Sequence, residues 1–143
     1  MTDWDRRFLK LAAHIADWSK DPSTKVGAVI VRPDRTIASL GFNGFPMGTD
    51  DSYELYKDRE SKYQRIVHAE MNALLFLRER AIGFTLYTWP FLPCDRCAAC
   101  VIQAGIARVV SRSCTEDRWG DAIQRGIDLM TEANVIVDIA QWN

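Results

Sequence analysis

No apolar run in this chain approaches the roughly 20 residues that a membrane-spanning helix needs, and no signal peptide or lipidation motif stands at either end. An excess of positive charge is also missing. Eighteen Lys and Arg stand against nineteen Asp and Glu, for a net charge of −1 and a pI near 6.1. A dedicated nucleic-acid binder usually carries a basic stripe, and this balance leaves none to carry, although a local patch for one phosphate remains compatible with it. Histidine is scarce, with two residues, and cysteine numbers only four. That is too few for a disulfide scaffold and fits a reducing, cytoplasmic setting. There is no internal repeat, linker or low-complexity segment. The 143 residues are expected to form one domain, long enough to bury about 68–70% of the surface of the unfolded chain.

Against that ordinary background, two short stretches concentrate chemistry: His68-Ala69-Glu70-Met71-Asn72-Ala73 and Pro93-Cys94-Asp95-Arg96-Cys97. One histidine and two cysteines three apart supply three zinc ligands, and a tetrahedral ion held by three protein ligands keeps its fourth position for water. Zinc lowers the pKa of such a water from about 15.7 toward roughly 7. Glu70 is then expected to carry protons rather than to bind metal. A lone C-x-x-C would be weak, since redox motifs and structural zinc ribbons use it too. A structural site would need a fourth protein ligand, for which only Cys100, Cys114 and His14 remain. On a helix Cys100 turns away from the face carrying Cys94, and His14 reads as an ordinary packing or surface histidine. The pattern H-x-E followed by P-C-x-x-C is the signature of the zinc deaminases of nucleobases.

The order of motifs extends the match. Ser19-Lys20-Asp21-Pro22-Ser23-Thr24-Lys25-Val26-Gly27-Ala28, then Gly41-Phe42-Asn43-Gly44-Phe45-Pro46, the two zinc motifs, and Ile102-Gln103-Ala104-Gly105-Ile106 together resemble the deoxycytidylate (dCMP) deaminase family of the cytidine deaminase-like superfamily, from about residue 4 to 137. The resemblance implies a three-layer α/β/α sandwich around one mixed five-stranded sheet. It also implies zinc-dependent hydrolysis of a cytosine nucleotide, dCMP to dUMP with release of ammonia, with Zn2+ on His68, Cys94 and Cys97 and Glu70 as proton carrier. A homo-oligomer, dimer or hexamer, is implied too. Family members respond to dCTP and dTTP near a Gly-Tyr-Asn-Gly region; here Phe42 replaces the tyrosine, and regulation is expected to be weak or absent.

Further site residues carry two readings each. Asn43 is either the sugar-contacting carboxamide that the resemblance implies or a turn residue beside Gly44. Ser23, Thr24 and Lys25 precede a strand where a phosphate is expected, with Lys25 as its point charge or as a solvated lysine. Trp89, Pro90, Phe91 and Leu92 occupy the segment that walls the base pocket in the family. That segment is one residue longer here, so a 5-substituted cytosine stands as an alternative substrate beside a nucleoside or free base, with a tRNA or single-strand deaminase further off. Trp119 either covers the substrate or packs in the core or at an interface.

Patterning places the elements. Trp4, Phe8, Leu11, Ile15 and Trp18 predict an amphipathic helix over 3–20, with Thr2 and Asp5 as its capping box. Val26–Val31 predicts a strand covered on both faces, and Thr36–Phe42 its hairpin partner. Residues 44–66 show no clear period apart from a helical turn at Tyr53–Lys57. His68–Arg80 predicts a helix burying Ala73, Leu74 and Leu77. Phe84–Thr88, Arg108–Ser111 and Val135–Ile139 predict three parallel strands. Two more helices are expected at 94–104, with Pro93 in the first turn, and at 120–133.

Overall fold

The computed structural model describes residues 1–112 and 120–141. Its element order is α1 (Asp3–Ala16), β1 (Gly27–Val31), β2 (Ile37–Phe42), α2 (Tyr53–Lys57), α3 (Arg59–Arg65), α4 (Ala69–Leu75), β3 (Thr85–Trp89), α5 (Asp95–Gln103), β4 (Arg108–Arg112), α6 (Gly120–Glu132) and β5 (Ile136–Ala140). The strands form one sheet in the order β2-β1-β3-β4-β5. β1 is antiparallel to β2 and β3, whereas β3, β4 and β5 run parallel. Each parallel pair is joined through a helix, as parallel strands require. β1, the second strand of the sheet, is buried along its whole length.

Two apolar layers flank the sheet. Phe8, Leu9 and Ala12 of α1 pack with Val29, Tyr87 and Val110 on one face. Ala69, Ala73, Ala98, Val101, Ile123 and Met130, from α4, α5 and α6, pack with Ala28, Ile30, Leu86 and Val109 on the other. The expected three-layer sandwich with a mixed five-stranded sheet is what forms, because strand side chains alternate between faces and both faces must be covered.

α1 is locked by its N-terminus. Thr2 and Asp5 make the expected capping box, with Asp5 N–H donating to Thr2 Oγ1 at 3.2 Å and Thr2 N–H to Asp5 Oδ2 at 2.8 Å. Asp5 is buried, and also accepts from Tyr87 Oη at 2.7 Å and from both terminal nitrogens of Arg108 at 2.7 and 3.1 Å. Burial alone would push the Asp5 carboxyl up. The bonds from Arg108, Thr2 and Tyr87 outweigh it and hold the carboxyl well below the usual carboxylate range. A depressed folded-state value means stability that is present above about pH 3.9, the unfolded value, and lost as pH falls through the lower folded one. Asp5→Ala is expected to cost about 1–3 kcal/mol, because it leaves the buried Tyr87 hydroxyl without its acceptor, while Arg108 keeps Asp138 at 2.6 Å. Urea midpoints at neutral and acid pH check both the drop and the flatter acid dependence of the variant.

The helix predicted over 3–20 stops at Ala16, since Ser19 turns inward to donate to the Asn43 carbonyl at 2.8 Å and Asp21 is buried just beyond it. Trp18 is therefore exposed rather than part of the core stripe. The helix predicted over 68–80 is α4 and ends at Leu75; beyond it Glu79 pairs with Arg32 of the β1–β2 turn. The span without a period, 44–66, contains α2 and α3. Gly41 allows α4 to lie directly on β2: a Cβ there would come within 2.4 Å of the Ala69 carbonyl oxygen and 2.5 Å of the Ala73 nitrogen.

Candidate metal centre and substrate cleft

Two chain entries converge at one end of the sheet. Gly44 and Val67 exchange backbone hydrogen bonds at 3.1 and 2.8 Å, which ties the residue before His68 to the end of β2. His68 is the N-cap residue of α4, and Glu70 lies in the first turn of that helix, buried. Cys94 is the N-cap of α5, not a residue of its first turn as the sequence predicts, and Pro93 lies one position outside. The extended backbone of Cys94 sends its thiol past the helix end, while its carbonyl already accepts from Ala98 N–H at 2.8 Å.

His68, Cys94 and Cys97 present ligand atoms that all lie within 4.8 Å of one another. His68 Nδ1 is 3.2 Å from Cys97 Sγ and 3.7 Å from Cys94 Sγ. For a tetrahedral ion with Zn–N near 2.0–2.1 Å and Zn–S near 2.3 Å, the N···S edge is about 3.5 Å. The two N···S edges bracket that value, so the three residues fit zinc. Cys100 is exposed and stands outside this triangle, as does His14; Cys114 lies outside the described residues.

The electrostatics suit the same use. A hydrogen bond from Cys97, followed by interactions with His68, pushes the Cys94 thiol down to about 4 despite its burial. Cys97 is correspondingly pushed up as the donor to that thiolate. The N-terminus of α5 adds favourable potential for thiolates. Burial pushes the Glu70 carboxyl above its ordinary value, which moves a carboxylate toward the neutral range where proton carriers work.

The triangle opens into a cleft of about 940 Å³. Besides the ligands its wall includes Glu70, Phe91 and Leu92, and also Asp21, Asn43, Tyr56, Lys57, Arg59 and Lys62. Asp21 was not singled out by the sequence reading and is central here. Its Oδ1 accepts from Ser23 N–H and Thr24 N–H at 2.9 and 3.2 Å, and Lys62 Nζ lies 2.7 Å from its Oδ2. The run Asp-Pro-Ser-Thr carries the signal for that side-chain turn. Tyr56 is buried, stacks on Phe45 with ring centroids 3.9 Å apart, and accepts from Phe45 N–H.

The remaining expected site residues are distributed unevenly. Asn43 lines the cleft, and its carboxamide holds the chain before β1: Oδ1 accepts from Val26 N–H and Nδ2 donates to the Thr24 carbonyl, both at 2.8 Å. Its φ is not positive, so it is not a left-handed turn residue. Lys25 is exposed and does not line the cleft, because Val26 beside it takes the inward position. Trp89 shares the α1 face of the sheet with Tyr87 and lies under Arg112, away from the metal triangle. Strand alternation puts it there, and the wall beyond it is made by Phe91 and Leu92. Trp119 lies outside the described residues.

The family model for the cytidine and deoxycytidylate deaminase zinc-binding region matches residues 2–113. The chain belongs to that family. Such an assignment makes it a zinc-dependent hydrolytic deaminase, in agreement with the donor set. Among its relatives is a protein of Aliivibrio fischeri described as an uncharacterized deaminase in the luxG 3′ region, 44% identical over 140 residues, which cover 96% of this chain and 93% of the relative. The deoxycytidylate deaminase of Homo sapiens is 33% identical over 144 residues, covering 96% of this chain and 76% of the human one. The crystal structure of the dCMP deaminase from cyanophage S-TIM5 in complex with dCMP and dUMP superposes with a TM-score of 0.82 at 30% identity, over 98% of this chain and 99% of that one. Among the described residues no helix is long and apolar enough to cross a membrane.

Proposed function

We propose that the enzyme hydrolyses dCMP to dUMP and ammonia. The observation that carries this reading is that one cleft is lined both by a buried carboxylate with a three-ligand zinc triangle and by the cations Lys57, Arg59 and Lys62 of α2 and α3. Zinc held by His68, Cys94 and Cys97 supplies Lewis acidity and a water acidic enough to react at neutral pH. Glu70 takes a proton from water as its oxygen adds to C4 and delivers it to N3; it then takes the proton of the new C4 hydroxyl and passes it to the departing amine, so that the C4–N bond breaks as the C4 carbonyl forms. One carboxylate serves every step because it alternates between base and acid. Phe91 and Leu92 offer apolar surface to the base. Lys57, Arg59 and Lys62 in the wall of the same cleft offer positive charge to a 5′-phosphate. Lys62 spends its contacts on Asp21 and keeps further N–H capacity, since an ammonium has three donors. This shifts the phosphate assignment from Lys25 to α3.

Ammonia release from dCMP, CMP, deoxycytidine, cytosine and 5-substituted dCMP tests the substrate. dCMP is expected to give the highest kcat/KM, and a preference for cytosine or deoxycytidine would overturn the nucleotide reading. Lys62→Met is expected to lower kcat/KM for dCMP by about 10–100-fold, the worth of a hydrogen bond to a charged group, while leaving deoxycytidine nearly unaffected. Equal losses on both substrates would mean that Lys62 only holds Asp21.

The same reading includes a cytoplasmic homo-oligomer with weak or absent control by dCTP and dTTP. Support for assembly is the exposed apolar edge: Trp18 packs edge-to-face on Phe42, with centroids 6.1 Å apart, beside the exposed Leu40 of β2. Light scattering is expected to give a dimer or larger, and rate curves for dCMP are expected to stay nearly unchanged by either triphosphate. A monomer, or a steep dCTP-dependent shift, would contradict this part.

A further inference from the structure

α6 lies beyond the stretch matched by the family model, and its place in the fold gives it a task toward the metal centre. Its buried stripe runs Ile123, Gly126, Met130. Glycine is among the poorest helix formers, and a mid-helix position on the buried face ordinarily calls for a large apolar residue. Here the space is already taken by backbone. A Cβ on Gly126 would come within 2.5 Å of the Pro93 carbonyl oxygen, 3.1 Å of the Cys94 carbonyl carbon and 3.2 Å of the Cys94 carbonyl oxygen. None of these atoms can swing aside, for Cys94 caps α5 and its carbonyl is bonded to Ala98 N–H. The neighbouring residue grips the same turn from outside: Arg125 Nε donates to Asp95 Oδ2 at 2.9 Å. Two consecutive residues of α6 thus hold three consecutive residues of the turn that presents Cys94.

We propose that Gly126 and Arg125 of α6 are positioning residues for the metal centre, clamping the Pro93–Asp95 backbone so that the Cys94 thiolate stands at ligand distance from His68 and Cys97. The proposal rests on His68, Cys94 and Cys97 being the zinc ligands. Neither clamp residue lines the cleft. Their effect passes through the Cys94 backbone, and it should appear in metal affinity before it appears in chemistry. Groups that orient metal ligands typically change metal affinity by about 10–100-fold when altered.

The test measures zinc dissociation constants by competition with a chromogenic chelator, together with absorption spectra of the cobalt-substituted proteins, for the wild type, Gly126→Ala, Arg125→Met and the control Asp128→Asn. Circular dichroism establishes that each metal-free protein is folded at the temperature used. Gly126→Ala is expected to bind zinc about 10–100-fold more weakly and to show an altered cobalt spectrum. Arg125→Met, which removes an exposed ion pair, should weaken binding about two- to five-fold. Asp128→Asn, exposed on the same helix, should match the wild type. A folded Gly126→Ala protein with wild-type affinity and spectrum would overturn the clamp. If that variant does not fold, wild-type affinity in Arg125→Met overturns it instead. Absence of zinc affinity in the wild type would remove the ligand assignment itself, an outcome that the wild-type arm separates from failure of the clamp alone.

Discussion

Glu70→Gln is expected to keep the fold and the bound zinc while losing at least about 10²–10⁴-fold in turnover. Glutamine has nearly the same shape and can occupy the same buried position in the first turn of α4. It cannot, however, take a proton from water. The proposed reaction asks this one side chain to move protons in each of its steps, so the loss should reach or exceed the upper end of that range. Burial, which raises the carboxyl above its ordinary value in the wild type, adds that the residue is placed to be protonated and deprotonated during turnover. Zinc content and ammonia release on one preparation check the prediction. A zinc-loaded Glu70→Gln protein with appreciable activity would require a different proton carrier.

Cys97→Ala is expected to abolish zinc binding and, with it, activity, and added zinc should not restore either. Cys97 is the buried member of the triangle, on the first turn of α5, with its sulfur 3.2 Å from His68 Nδ1. Removing it leaves one imidazole and one thiolate, fewer than the three protein ligands that catalytic zinc sites use. Cys100→Ser is the informative partner. It alters a cysteine three residues further along the same helix, exposed and outside the ligand triangle, and should retain a full complement of zinc. Loss of metal in Cys100→Ser would mean that the ligand set has been drawn wrongly; metal analysis by mass spectrometry decides it.

The parts of the fold that could be read from the chain are those set by local periodicity. Val26–Val31 is a continuous β-branched stretch because β1 is buried on both faces, and Phe8, Ile15 and their neighbours recur at helical spacing because α1 covers one face of the sheet. Where tertiary contacts compete with periodicity, the pattern misleads. Trp18 continues the helical stripe in sequence, but Ser19 and Asp21 are pulled into the interior by partners from Asn43 and Lys62, and the helix ends first. Residues 44–66 carry no period because α2 and α3 are short and line the cleft instead of covering a core.

By itself the sequence determined the metal-binding set: ligand type and spacing are covalent properties, and His68, Cys94 and Cys97 announce theirs within two short motifs. It also determined the layered α/β architecture, since alternation and helical spacing are local. The tertiary structure alone decided what faces the cleft. Lys62 meets Asp21 across 41 residues of chain, Trp89 is turned to the α1 face by strand alternation, Lys25 stays exposed beside the inward Val26, and Asn43 holds the backbone of residues 24 and 26. The tertiary structure also revealed why a glycine stands in the middle of α6. No local pattern encodes such pairings, because they depend on which surfaces two distant segments present when the sheet brings them together.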